Sequence, residues 1–203
     1  MGETNEVLLS EHEAIEELLG AIEGMAARMR NGAGVPTGDL EEAMWVVVGF
    51  ADRCHHAKEE RVLFPTLARA SPPVGAEIAR RLTSDHVAFR KLVGAIRELI
   101  PKARKDKASR NLLVKDLDTY ARLLRQHIEA EHEQLFPEVE RAIDPDAEAR
   151  LAAEFERVEV EEIGAGMHDR FRATIRRFAD LYAAWGRFNR DGNDKPDRPM
   201  GPR

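Results

Sequence analysis

The chain has 203 residues, 43% of them hydrophobic, enough for one well-buried domain with appendages and too few for two ordinary ones. Charged residues make up 33%, the formal balance is −6, and both signs are interleaved along the chain, which excludes the basic face of a nucleic-acid binder. No uninterrupted apolar run approaches the ~20 residues of a membrane span, the opening Met1 to Glu6 is acidic where a signal peptide is basic, and a single cysteine, Cys54, rules out an internal disulfide, so the expected location is cytoplasmic with no membrane partner.

Helical periodicity dominates and strand signals are nearly absent, so the expected fold class is all-α. Breakers at Gly32 to Gly38, Ser71 to Pro73, Pro101 to Asp106 and Asp144 to Pro145 mark off four long helices, at about 5–30, 37–70, 72–100 and 108–142. The first carries an apolar stripe of Leu8, Ile15, Leu19 and Ile22, with His12 in phase with it. On the second, the three-and-four spacing runs through Trp45, Val48, Asp52, His55, Glu59 and Val62. The third reads Leu82, His86, Phe89, Val93, Ile96, and the fourth Leu113, Leu117, Tyr120, Leu124, His127, Glu131, Leu135. Short loops between long helices predict an up-down-up-down four-helix bundle over 1–143. Residues 144–185 form a C-terminal helical extension interrupted at Gly164 and Gly166, whose stripe of Phe171, Ile175, Phe178, Tyr182 and Trp185 is expected to pack on the bundle; the polar, Gly- and Pro-rich 186–203 is expected to be a disordered tail.

An internal repeat appears when the Leu-Phe-Pro triplets at 63–65 and 135–137 are aligned, a displacement of 72 residues that lays HHAKEERVLFP over HIEAEHEQLFP. Ser84-Asp85-His86 then falls over Ser10-Glu11-His12 at a displacement of 74, so the bundle is two copies of one hairpin, each a helix with a histidine followed by a helix with HxxxE. Residues four apart lie one above the other on a helix face, about 6 Å apart. Such a histidine can bind one ion terminally while the glutamate reaches across to a second, and inward carboxylates need a cation or hydrogen-bonding partners. Imidazole with carboxylate suits iron, manganese or zinc. A single histidine on an apolar stripe is more often a hydrogen-bonded core residue, but six matched positions on four helices favour metal. His56 and Glu60 make a second HxxxE one residue out of phase, about 100° round the helix; the repeat favours His55 and Glu59. His132 is expected outside the ligand set, and His168, three before Phe171, faces the bundle as either a capping ligand or a packed side chain.

The order histidine, HxxxE with a second glutamate and Leu-Phe-Pro, histidine, HxxxE resembles the hemerythrin-like (HHE cation-binding) family over about 6–142, and FERVEVEEIGAGMHDRF resembles an extension found in bacterial members. The resemblance implies two non-heme iron ions, His12, His55 and Glu59 serving one part of the site and His86, His127 and Glu131 the other, with the two glutamates bridging. Hemerythrin itself has a second histidine one turn along its third helix, where this chain has Arg90, and an aspartate where Glu131 stands. Fewer histidines leave positions open for a small ligand such as O2, NO or H2O2. Expectations therefore divide among a di-iron oxidoreductase or peroxide-decomposing activity, an iron- or redox-dependent sensor acting through a protein partner, and a metal store without turnover.

Overall fold

The computed structural model describes residues 2–190, and every regular element in it is helical. Helix α1 is Glu3–Arg30, α2 spans 37–70, α3 is Val74–Ala103, α4 spans 107–142, α5 is Pro145–Ile163 and α6 is Met167–Arg190. Asp106 caps α4 by accepting from the Ser109 amide at 2.8 Å, and Asp144 caps α5 by accepting from the Ala147 amide at 2.8 Å, so each starts where an N-cap side chain meets free backbone N–H groups. Pro101 does not end α3 but lies inside its last turn, where it forgoes one backbone hydrogen bond beside already free carbonyls. Helix α6 runs through 186–190, part of the segment expected as tail; the rest of that tail, 191–203, lies outside the described residues. No helix of the described residues is long and apolar enough to cross a membrane.

Helices α1 to α4 form the bundle. Helix α6 lies along α1, and there Gly24 is required: a Cβ at that position would stand 1.8 Å from the Tyr182 carbonyl oxygen, so only glycine allows this approach. Phe171, Ile175, Phe178 and Tyr182 are all buried against the bundle, while Trp185 is half-buried with the Arg28 guanidinium 5.6 Å from its ring centroid. Gly164, at φ 84°, ends α5 and lets the chain reverse into α6.

Helices α2 and α4 are not α-helical throughout. Val47–His56, Glu59–Leu63 and Glu131–Leu135 are π-helical, a wider turn with fewer degrees per residue than an α-helix. The consequence is clearest in α2. Just ahead of the first π segment and through it the expected stripe is out of phase: Trp45 is 38% exposed and Val48 and Asp52 are half-buried, whereas Met44, Val47, Phe50, Ala51 and Cys54 fill the core.

Buried apolar side chains fall into two clusters. One, around Ile15, Ile22, Phe50, Ile96, Leu117 and Phe178, occupies the end of the bundle where α1 closes on α6. The other, around Leu8, Leu63, Leu82, Leu135 and Phe155, occupies the opposite end under α5. Between them lies a layer of buried histidine and glutamate.

Candidate metal centre

In that middle layer His12 of α1, His55, His56 and Glu59 of α2, His86 of α3, and His127 and Glu131 of α4 converge, each no more than 3% exposed. Four imidazoles pair through their Nε2 atoms, His12 with His55 at 3.1 Å and His86 with His127 at 2.9 Å. Each glutamate spans the pairs. Glu131 sets one oxygen 3.0 Å from His12 Nε2 and the other 2.9 Å from His127 Nε2. Glu59 sets its oxygens 3.8 Å from His55 Nε2 and 3.4 Å from His86 Nε2. His56 stacks on His86 with centroids 3.8 Å apart, and a nitrogen of each of His56, His86 and His127 lies within reach of one ion.

The outer nitrogens face partners on the far side. His55 Nδ1 is 3.0 Å from Glu11, His86 Nδ1 is 2.8 Å from Glu60, His127 Nδ1 is 3.3 Å from Asp85, and His12 Nδ1 is 2.9 Å from His132. A carboxylate can only accept, so those three imidazoles carry a proton on Nδ1. Burial lowers His55 and His86, which leaves their Nε2 lone pairs aimed inward as a metal ligand needs. Burial would lower His127 as well, but the charges of Glu131 and Asp85 outweigh it and raise His127 to about 9, so that it must give up a proton to ligate. His56 Nδ1 lies 3.5 Å from Asp52, beyond hydrogen-bonding geometry. Arg90 joins two of these outer groups, its Nε donating to Asp52 at 2.7 Å and its Nη2 lying 2.8 Å from Glu60.

A second buried polar cluster lies outside the first and shares His55 with it. Lys58, 1% exposed, places Nζ 2.5 Å from Glu11 and 2.8 Å from Glu159 of α5, with Cys54 Sγ 3.7 Å from both carboxylates. His168 of α6 comes here too, its Nε2 3.7 Å from Glu11 and its ring 5.2 Å from Phe50. Of the second-choice residues, then, His56 lies in the inner layer, Glu60 stands behind His86, and His168 lies in the outer cluster.

The hemerythrin HHE cation-binding domain model matches residues 3–139. The chain belongs to the hemerythrin HHE cation-binding family. Neither the curated proteins nor the solved structures gave a match. The HHE match covers all of the inner layer and stops before α5 and α6, which supply Glu159 and His168.

Three overlapping groups of donors could hold an ion in the HHE layer: His12, His55 and Glu131; Glu59, His86, His127 and Glu131; and His56, His86 and His127. Their chemistry fits cations. All four carboxylate oxygens of Glu59 and Glu131, and both nitrogens of His56, are buried without a hydrogen bond, a costly state that a cation relieves. Burial, reinforced by the charge of Glu131, pushes the Glu59 carboxyl well above the usual carboxylate range. Burial would raise Glu131 as well, but His127 and His12 outweigh it and hold Glu131 well below that range. Burial lowers His55 to about 4, which keeps it neutral and able to donate its lone pair near neutral pH. The outer group of Glu11, Cys54, Glu159 and His168 has donors within reach of one ion too, but Lys58 already supplies its cation and none of its carboxylate oxygens is orphaned.

The adjacent pair His55-His56 hid the fifth inward imidazole. On an α-helix the two diverge by about 100°, but they close a π segment and both are buried. Arg90, at the slot where hemerythrin has its extra histidine, points instead to the outer carboxylates Asp52 and Glu60. Glu11 and Lys58 carry no signal in the sequence pattern: each neighbours an expected ligand, about 100° round its helix from it.

Proposed function

We propose that this protein is a non-heme di-iron protein that binds or reacts with a small ligand such as O2, NO or H2O2. His12 and His55 would hold one ion, His86, His127 and His56 the other, and Glu59 and Glu131 would each offer one oxygen to each side. The observation that carries this reading is the pairing itself: two pairs of Nε2 atoms, 3.1 and 2.9 Å apart within each pair, with two carboxylates that each reach both pairs and whose oxygens lack a hydrogen bond. The same donors accept zinc or manganese. Iron would bring redox chemistry and coordination positions open to a diatomic or peroxide.

The chain's own contribution is orientation and exclusion of water. The outer carboxylates fix three imidazoles, and aromatic rings wall the layer: Phe136 lies 5.7 Å from His12, Phe64 5.8 Å from His86 and Phe89 5.2 Å from His127. Two imidazoles on one side and three on the other favour the His12–His55 side as the more open to ligand. The tie from Glu11 to the C-terminal helices supports a second reading, in which the state of the centre is passed to α5 and α6 and on to a protein partner.

Elemental analysis of protein purified without oxygen from iron-supplemented cells tests the first reading. Two irons per chain, followed by optical changes on adding O2, NO or H2O2, are expected. Close to zero metal, or one zinc, overturns it.

A further inference from the structure

Lys58 is a fully buried lysine whose charge serves neither solvent nor the inner layer. An unpaired ammonium at such a depth is strongly disfavoured, so its partners identify what it is for. It has two, on different parts of the molecule: Glu11 of α1 at 2.5 Å and Glu159 of α5 at 2.8 Å. Glu11 uses its other oxygen on His55 Nδ1, 3.0 Å away. An unbroken chain of contacts thus runs from Glu159, in a helix beyond the family match, through Lys58 and Glu11 to an imidazole whose Nε2 faces His12.

The remaining contacts of α5 with α2 differ in kind. Arg61 pairs with Glu161 and Glu162, and Arg53 with Glu162, through guanidinium side chains that are 43% and 55% exposed where Lys58 is 1% exposed. These pairs can hold α5 on the bundle, but none reaches the inner layer.

We infer that Lys58 is a positioning residue for the metal centre: as a built-in cation it locks Glu159 of α5 to Glu11 and through Glu11 sets the direction of the His55 imidazole, making the C-terminal helices part of the centre. The inference rests on the reading that the inner layer holds metal. Partners behind ligating histidines set ring orientation and donor strength, and losing one costs about 10- to 100-fold in metal affinity. The effect should fall on the ion held by His12 and His55, leaving the His86–His127 side as it is.

The test uses the full chain loaded anaerobically with ferrous iron and compares the wild type with Lys58→Met, Glu159→Gln, the double variant and Arg61→Ala. Metal per chain and its release to a ferrous chelator are followed, with the optical spectrum of the loaded protein. In Lys58→Met and Glu159→Gln one of two ions is expected to leave about 10- to 100-fold faster while the other keeps its wild-type rate. The double variant should be no worse than Lys58→Met, since both act on one chain of contacts. Arg61→Ala should release metal as the wild type does. If Lys58→Met does not fold, Glu159→Gln, which keeps the side chain's size, decides alone. Wild-type release from folded Glu159→Gln, equal acceleration of both ions, or the same acceleration in Arg61→Ala overturns the inference. A wild type that takes up no metal overturns the underlying reading instead, and is recognised before any variant is measured.

Discussion

The two buried polar clusters answer the same physical problem in opposite ways. In the outer one, two carboxylates share a lysine that the chain supplies, so each has a cationic partner. In the inner one, two carboxylates and five imidazoles meet with no lysine or arginine among them, and six of their polar atoms lack a hydrogen bond. Clustered acidic and basic side chains are therefore poor evidence for a metal by themselves. What distinguishes the inner layer is its buried donor atoms left without a hydrogen bond.

That difference predicts opposite signs for substitutions one residue apart, best read in chelator-treated protein. Lys58→Met should cost about 3–5 kcal/mol, because it strands Glu11 in the interior; urea unfolding would show the midpoint falling, and an unchanged midpoint would mean that the outer cluster is not a matched set. Glu59→Leu should stabilise the same metal-free protein by about 1–4 kcal/mol, since it removes a buried carboxyl that has no partner until an ion arrives. The loaded protein should show the reverse, with at most one ion retained. Loss of stability in metal-free Glu59→Leu would show that the inner layer is satisfied without a cation. The smallest effect is expected for Arg90→Leu, which releases Asp52 and Glu60 behind His56 and His86. Metal on that side should be lost about tenfold faster, equivalent to about 1.4 kcal/mol, with under ~1 kcal/mol change in fold stability because the guanidinium is 38% exposed.

Much of this was legible in the sequence. The hairpin repeat pairs His12 with His86 and His55-Glu59 with His127-Glu131, and those six side chains share the middle layer. The three-and-four spacing fails earlier in α2, just ahead of the first π segment and through most of it. Trp45, Val48 and Asp52 follow the stripe on paper and lie on the outer side in space, and His56 joins the layer although its register says otherwise. Nothing in local composition announces a π turn. The available clue was the doublet His55-His56 ahead of Glu59-Glu60, two overlapping HxxxE pairs in which both histidines could be used only if the turn were wider than 3.6 residues. Glu11 and Lys58 were invisible for a different reason: their roles depend on α5 and α6 returning to the bundle, a long-range event that no local pattern encodes.

The placement of the polar layer between two apolar clusters has a consequence for how the protein comes to be filled. Most of the apolar burial lies at the two ends of the bundle, in contacts that involve no donor atom. The chain can therefore be assembled, with its imidazoles already aimed, before any ion arrives, and lose its ions without coming apart. Scaffold and cation are separable in time, so the same fold would stand ready for whichever cation the layer takes.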